Sequence, residues 1–130
     1  MTVVPYLSYE DAAAAIRWLG DAFGFEKAQA YDGPDGKVMH AELTLPGATV
    51  MLGTGPSPGA GADAVTEQSP RGHGIYVVVD DLDAHHQRAL AAGATIVYPP
   101  EDTEFGTRRY RALDLEGYEW SFGTYSPGAR

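Results

Sequence analysis

The chain repeats itself, and a repeat of about half its length constrains the fold more than any other feature. Gly24 matches Gly93 at a spacing of 69 residues, Gly47 matches Gly117 at 70, and Leu52-Gly53-Thr54 matches Phe122-Gly123-Thr124 at 70. The elements fall in the same order in both halves. In the first, Thr2 to Leu7 is apolar and β-branched and reads as a strand. Ser8 to Asp11 then opens a helix, with Ser8 as N-cap and Asp11 in the capping-box position. Ala12, Ala15, Ile16, Leu19, Ala22 and Phe23 form one apolar stripe at helical spacing, ended by Gly24 where a left-handed residue is favoured. Strands are expected over Glu26 to Tyr31, Val38 to Leu45 and Thr49 to Leu52, with turns at Asp32 to Gly36 and at Pro46-Gly47.

The second half follows suit. Ile75 to Val79 reads as a strand, and Asp80-Asp81 starts a helix carrying Leu82, His86, Ala89 and Leu90 that Gly93 closes. Strands follow over Thr95 to Tyr98, Arg108 to Leu113 and Glu119 to Phe122. Self-similarity at one offset predicts a duplicated βαβββ unit. The expected fold class is therefore α+β: two βαβββ modules in tandem within one domain, module 1 over about 1–54 and module 2 over about 73–126. Gly55 to Gly72, rich in Gly, Pro and Ala, reads as a linker between them, with a lid as the alternative.

Composition removes several function classes. The chain has no cysteine, which excludes disulfides, thiolate zinc and cysteine nucleophiles. No apolar run approaches the roughly 18 residues that a membrane span needs, and Met1 to Tyr9 lacks the basic head and apolar stretch of a signal segment, so a cytoplasmic location is expected. Nine basic against eighteen acidic residues give a net charge of −9, which argues against nucleic acid as a partner. The one local cluster of positive charge is Arg108, Arg109 and Arg111.

Paired modules of this length resemble the vicinal oxygen chelate (glyoxalase / bleomycin resistance protein / dioxygenase) superfamily. The likeness is carried by Pro5-Tyr6-Leu7 with the Ala-rich helix and Phe23-Gly24-Phe25, by Met39-His40-Ala41-Glu42-Leu43, and by Phe105-Gly106-Thr107-Arg108 with the run from Asp114 to Thr124. The resemblance implies modules whose four-stranded sheets curl around a ligand cleft, and it implies frequent pairing into a homodimer, sometimes by exchange of modules. It does not imply a reaction, because one fold hosts many functions. Metal-dependent members use His or Glu on the first and last strands of each module. Counting from the glycines, those four positions are Val4, Met51, Gly74 and Ser121, and none is a good ligand. A shift of one residue would bring in His73 alone, on the opposite face of its strand. No metal and no cofactor are expected.

Within the implied cleft, His40 and Glu42 share one face of their strand, and Met39, Ala41 and Leu43 share the other. The pair can bind a ligand or move a proton, or it can be a satisfied hydrogen-bond pair. His85 and His86 are adjacent on a helix and cannot chelate together; packing or exposure is their expected role. His40 and Tyr110 both lie seven residues before a turn glycine, so Arg108 and Tyr110 are expected on the cleft side, with Arg109 and Arg111 outside. Arg108 suits a carboxylate or phosphate, or an ion pair with Glu104 or Asp102. Trp120 alternates with Ser121, so one of the two faces the cleft, and Tyr6, Tyr98 and Phe105 can add aromatic surface. No nucleophile constellation stands out. The expected function is metal-free binding of an aromatic or amphipathic small molecule, such as an antibiotic sequestered by the protein. The alternative is a lyase, isomerase or dioxygenase using His40 and Glu42 or a non-standard metal site, and whether any reaction is catalysed stays open.

Overall fold

A computed structural model describes residues 2–59 and 74–128. Module 1 consists of β1 (Tyr6–Tyr9), α1 (Ala12–Phe23), β2 (Glu26–Asp32), β3 (Val38–Leu45) and β4 (Ala48–Thr54). Module 2 consists of β5 (Ile75–Val78), α2 (Leu82–Ala91), β6 (Thr95–Asp102), β7 (Arg108–Leu113) and β8 (Glu119–Gly123). Each module forms a four-stranded sheet, ordered β1-β4-β3-β2 and β5-β8-β7-β6. The first strand of each runs parallel to the last, and the other neighbours are antiparallel. This is the duplicated α+β architecture that the repeat predicts. The segment 60–73, which includes most of the expected linker and His73, lies outside the described residues.

The helix starts follow from capping chemistry, with one correction. Asp11, not Ser8, is the N-cap of α1: its Oδ1 accepts from the Ala14 N–H at 3.0 Å. Ser8 is unavailable because it belongs to β1, in register with Gly53 of β4. Asp81 caps α2 in the same way, accepting from the Ala84 N–H at 3.1 Å. Gly24 closes α1 at φ 83°, the left-handed conformation that glycine adopts without strain.

One buried cluster runs through both modules. It joins Leu7, Tyr9, Leu19, Phe23, Leu43 and Leu52 of module 1 to Leu82, Tyr110, Trp120 and Phe122 of module 2. Burying side chains of this size is worth about 1.5–3 kcal/mol each, so the shared core is the main force joining the modules. Polar connections also fix their relative placement. Arg88 of α2 donates to Gly20 O and Asp21 O at 2.9 and 2.8 Å, satisfying carbonyls at the C-terminal end of α1 with a cation. The turn between β7 and β8 docks on the β1–α1 junction: Glu116 accepts from the Glu10 and Asp11 N–H groups at 2.6 and 2.9 Å, and Tyr118 Oη donates to Ser8 O at 2.8 Å.

Asp114 anchors that turn. Its Oδ2 accepts from Tyr9 Oη at 2.6 Å and from Trp120 Nε1 at 3.0 Å, and its Oδ1 accepts from the Glu116 and Tyr118 N–H groups at 3.0 Å. Four donors converge on one buried carboxyl group. Burial raises its pKa above the ordinary carboxylate value, against the opposing pull of those donors. Burial and then the Asp114 charge also push the Tyr9 hydroxyl far above its usual range, so Tyr9 stays a donor.

Candidate functional site

Each sheet has a core face, toward the helices, and an outer face. Residues paired across neighbouring strands share a face, so the register sorts the side chains. In module 1, Gln29, Glu42, Met51 and Tyr6 form one outer row straight across the sheet. In module 2 the matching row is Tyr98, Arg111, Ser121 and Tyr76. Corresponding members are 69 residues apart in the two middle strands before the turn, and 70 apart in the first and last strands. The offset falls by one between the first and second strands and is restored in the turn joining the third and fourth strands. Module 1 turns tightly, with Leu45 paired to Ala48, while module 2 needs Asp114 to Tyr118 between the paired Leu113 and Glu119.

That one extra residue overturns part of the sequence-based expectation. Counting back from the turn glycines at a single offset puts Tyr110 opposite His40, but the true counterpart of His40 is Arg109 and that of Glu42 is Arg111. On a strand a slip of one reverses every side chain. Tyr110 is therefore on the core face, wholly buried, with its hydroxyl 2.6 Å from His85 Nδ1. Arg108 is also on the helix side, where it pairs with Asp83 of α2 at 2.9 Å and with Asp102 at 3.1 Å. The Asp83 and Asp102 carboxylates raise its pKa in turn. Arg109 and Arg111, expected outside the site, stand on the outer face. The helix spacing of 69 at Gly24 and Gly93 was the signal that identifies the slip.

Trp120 is on the core face too, fully buried, with its ring 5.4 Å from Phe23 and 5.5 Å from Phe25. It borders an apolar groove of about 740 Å³ between β4, β5 and the segment 2–5. His85 borders the same groove. Burial and the nearby Arg88 charge lower its pKa to about 4, so the ring is neutral near pH 7; it stacks on Phe23 and lies tilted against Phe122 at 4.2 Å. His86 sits edge-on to Tyr110 at 5.2 Å. Phe105 is an exposed turn residue outside both cavities.

The outer face of module 2 carries a pocket of about 300 Å³ lined by Tyr76, Tyr98, Arg109, Arg111, Glu119 and Ser121, with Gly74 and Ile75 at one side. Arg111 is held from three directions: Nε donates to Ser121 Oγ at 2.8 Å, Nη1 lies 3.1 Å from the buried Glu119 Oε1, and the guanidinium stands 5.3 Å from the Tyr98 centroid. Arg109 stands 5.2 Å from the same ring and pairs with Glu101 at 2.9 Å in a more exposed setting. Both distances lie in the cation–π range. Tyr76 forms the opposite wall, its ring crossing Gly123 so closely that a Cβ there would meet its hydroxyl at 2.4 Å. Tyr6 crosses Gly53 in the same manner in module 1, where a Cβ would also meet Met39 O at 2.6 Å.

On the outer face of module 1, His40 Nε2 and Glu42 Oε2 are 3.0 Å apart and each is about one-third exposed. The expected pairing on one face is what the geometry has. Ala41 and Leu43 fill the core face as expected, but Met39 is largely exposed and Val38 is buried in its place. An irregularity between Tyr31 and Asp32 on the neighbouring strand accompanies the change.

Two βαβββ modules sharing one core, each with a polar and aromatic outer face, define a paired-module class of α+β proteins. The chain belongs to the Glyoxalase/Bleomycin resistance protein/Dioxygenase superfamily, whose family model matches residues 3–122. Among its relatives is the uncharacterized protein Rv0887c of Mycobacterium tuberculosis, 40% identical over 121 residues covering 92% of this chain and 71% of the relative. The crystal structure of TioX from Micromonospora sp. ML1 superposes with a TM-score of 0.74 at 32% identity, covering all of both chains. The fosfomycin resistance protein FosX of Listeria monocytogenes shares the fold, with a TM-score of 0.74 at 13% identity over 98% of this chain and 94% of that one.

FosX has been crystallised with Mn(II), and the family resemblance places the ligands of such an ion at Val4, Met51, Gly74 and Ser121 here. They do not fit. Val4, Met51 and Gly74 offer no nitrogen or carboxylate donor, and the Ser121 hydroxyl is engaged by the Arg111 guanidinium, a fixed positive charge 2.8 Å away. Among the described residues no three His, Asp or Glu side chains converge in a way that could hold a metal ion. Neither is any described helix long and apolar enough to cross a membrane.

Proposed function

We propose that this protein is a metal-independent small-molecule-binding protein that holds an aromatic or amphipathic compound, such as an antibiotic, on the outer face of module 2. The observation that carries the reading is the row Tyr98–Arg111–Ser121–Tyr76. It combines aromatic walls with a few polar groups fixed by their neighbours, the usual makeup of a small-molecule site. Of the residues proposed for ligand contact from sequence, His40 and Glu42 keep an outer-face position. Arg109 and Arg111 take the role first given to Arg108 and Tyr110, and Trp120 supports the sheet from its core side.

The same reading includes a cytoplasmic homodimer. Tyr6, Tyr76 and Val78 are exposed aromatic and aliphatic side chains on the outer faces. Exposed apolar surface of this kind suits association of two copies. Sedimentation at micromolar concentration checks this, with a dimer mass expected.

A thermal-shift screen of antibiotics, catechols, glutathione conjugates and metal ions tests the main reading, because a ligand selective for the folded state raises the melting temperature. A raised melting temperature with an organic compound in the presence of chelator is the expected result. Stoichiometric Zn, Ni, Mn or Fe in gently purified protein, lost together with stability on chelation, contradicts it.

A second reading has one observation in its favour. The His40–Glu42 hydrogen bond joins a base and a carboxylate on an accessible face, an arrangement suited to proton transfer in a lyase or isomerase. Turnover abolished by His40→Gln, with ligand affinity retained, supports that reading over simple binding.

A further inference from the structure

We propose that the apolar groove along the open edge of β5 is a second ligand site, and that it takes a phenol whose hydroxyl bridges the N–H and C=O groups of Val78. It is distinct from the outer-face pocket, although Tyr76 borders both. The repeat supplies the template, because module 2 fills the matching place on module 1 with a tyrosine.

On module 1 the free edge of β1 is closed by that tyrosine. Ser8 N–H donates to Tyr118 Oη at 3.1 Å, and the same hydroxyl donates to Ser8 O at 2.8 Å. One phenol thus satisfies both edge groups of one strand residue. Its ring stands edge-on to Tyr9, with the centroids 5.0 Å apart.

The offset of 70 carries this contact to the other side of the molecule. Ser8 corresponds to Val78, Tyr9 to Val79 and Tyr118 to Ala48. Val78, Val79 and Ala48 all line the groove, so the duplicated fold brings the same three positions together twice. Only the filling differs. Ala48 has neither ring nor hydroxyl, and its turn is one residue shorter than the turn that delivers Tyr118. The space left is about 740 Å³, within the roughly 300–1,000 Å³ usual for small-molecule sites, and Phe23, Phe25 and Trp120 give it aromatic lining.

The backbone of β5 supplies the polar partners. Val79 N–H donates to Gly123 O of the β8 side at 2.9 Å. Successive residues of a strand direct these groups to alternate sides, so Tyr76 and Val78 turn theirs away from β8. The sheet ends at β5, and no described residue bonds the outward N–H and C=O of Val78. Five consecutive residues, Tyr76 to Asp80, line the groove, which therefore runs along this edge and not over one face. An unpaired edge beside apolar walls offers one donor and one acceptor, the pair that Tyr118 uses on Ser8.

Amide NMR titration of the full chain with 4-ethylphenol and with 4-ethyltoluene, which replaces the hydroxyl by a methyl group, tests the inference. The phenol is expected to bind about tenfold tighter and to shift the amides of Val78, Val79 and Ala48 most. Ala48→Tyr is expected to weaken phenol binding at least tenfold by filling the groove, and to melt at a higher temperature than Ala48→Phe because only the tyrosine can bond Val78. Phe105→Ser, in an exposed turn outside both cavities, is expected to leave binding unchanged. Equal affinity for the two compounds overturns the hydroxyl contact. Shifts centred on Tyr98, Arg111 and Ser121 instead, or no binding of the phenol, overturn the site, and the first of these would support the outer-face pocket. Undiminished binding in a folded Ala48→Tyr variant overturns it equally. The shift map and the compound pair use the unaltered chain, so they decide the matter even if that variant fails to fold.

Discussion

Glu42 and Arg111 occupy the same place in the two modules, 69 residues apart, and carry opposite charges. Each stands in the middle of an outer row, beside Met51 in one sheet and Ser121 in the other. Duplication fixed the backbone position, and the side chains then diverged. Module 1 acquired an acid with a histidine beside it. Module 2 acquired a guanidinium braced by a buried glutamate, a serine and a tyrosine.

The glycines under the two tyrosines give a graded prediction. Gly53→Ala would set a Cβ 2.6 Å from the backbone carbonyl of Met39, which cannot move without disturbing β3. At Gly123 the nearest atoms to an added Cβ all belong to the Tyr76 side chain, which can swing away. The first substitution is expected to cost about 2–3 kcal/mol and the second about 1 kcal/mol or less. Urea-denaturation midpoints compare them directly, and the reverse order would contradict the contrast between a fixed backbone carbonyl at Gly53 and a movable side chain at Gly123.

Asp114→Asn tests the polar anchor between modules. The carboxyl accepts four hydrogen bonds, whereas a carboxamide presents one oxygen and turns an NH2 group toward donors. Breaking buried charge-assisted bonds costs about 3 kcal/mol or more. Chemical denaturation is expected to show that loss, and a broadened or two-step transition would locate it at the module interface.

His85 gives the acid response a defined direction. Its folded pKa of about 4 lies below the ordinary histidine value of 6.5, so the unfolded chain binds the extra proton first. Stability from this group is complete above about pH 6.5 and declines as pH falls toward 4. The expected size is on the order of 1 kcal/mol once partial solvent screening is discounted. Unfolding midpoints of wild type and His85→Phe between pH 7 and 4.5 check this. The variant should show the shallower slope, and parallel slopes would assign the acid sensitivity to other groups.

Much of the architecture was legible in the sequence because it depends on local signals. Gly24, the alanine-rich stripe of α1 and the alternation in β3 and β7 each report backbone conformation within a few residues. β3 and β7 have the boundaries that alternation alone predicts. The start of α1 was less legible, because Ser8 and Asp11 are both good caps and only strand pairing with β4 removes Ser8. The site was half legible. His40 and Glu42 follow from period-two alternation within one strand. Arg109 and Arg111 depend on a count across a turn, and the extra residue between Leu113 and Glu119 changes which face they take. Nothing local reports that length, although the offset of 69 between helix-ending glycines carries the same information. Asp114 was passed over because its role exists only after Tyr9 and Trp120 are brought to it from distant parts of the chain.

The most direct test of the account is the dissociation constant of a compound found by the thermal-shift screen, measured for wild type, Arg109→Gln and Arg108→Gln. The two arginines are sequence neighbours on opposite faces of one strand, so they separate the outer-face pocket from the helix side without altering net charge differently. The account predicts roughly tenfold weaker binding in Arg109→Gln and wild-type affinity in Arg108→Gln. Weakened binding in Arg108→Gln with wild-type affinity in Arg109→Gln would contradict it.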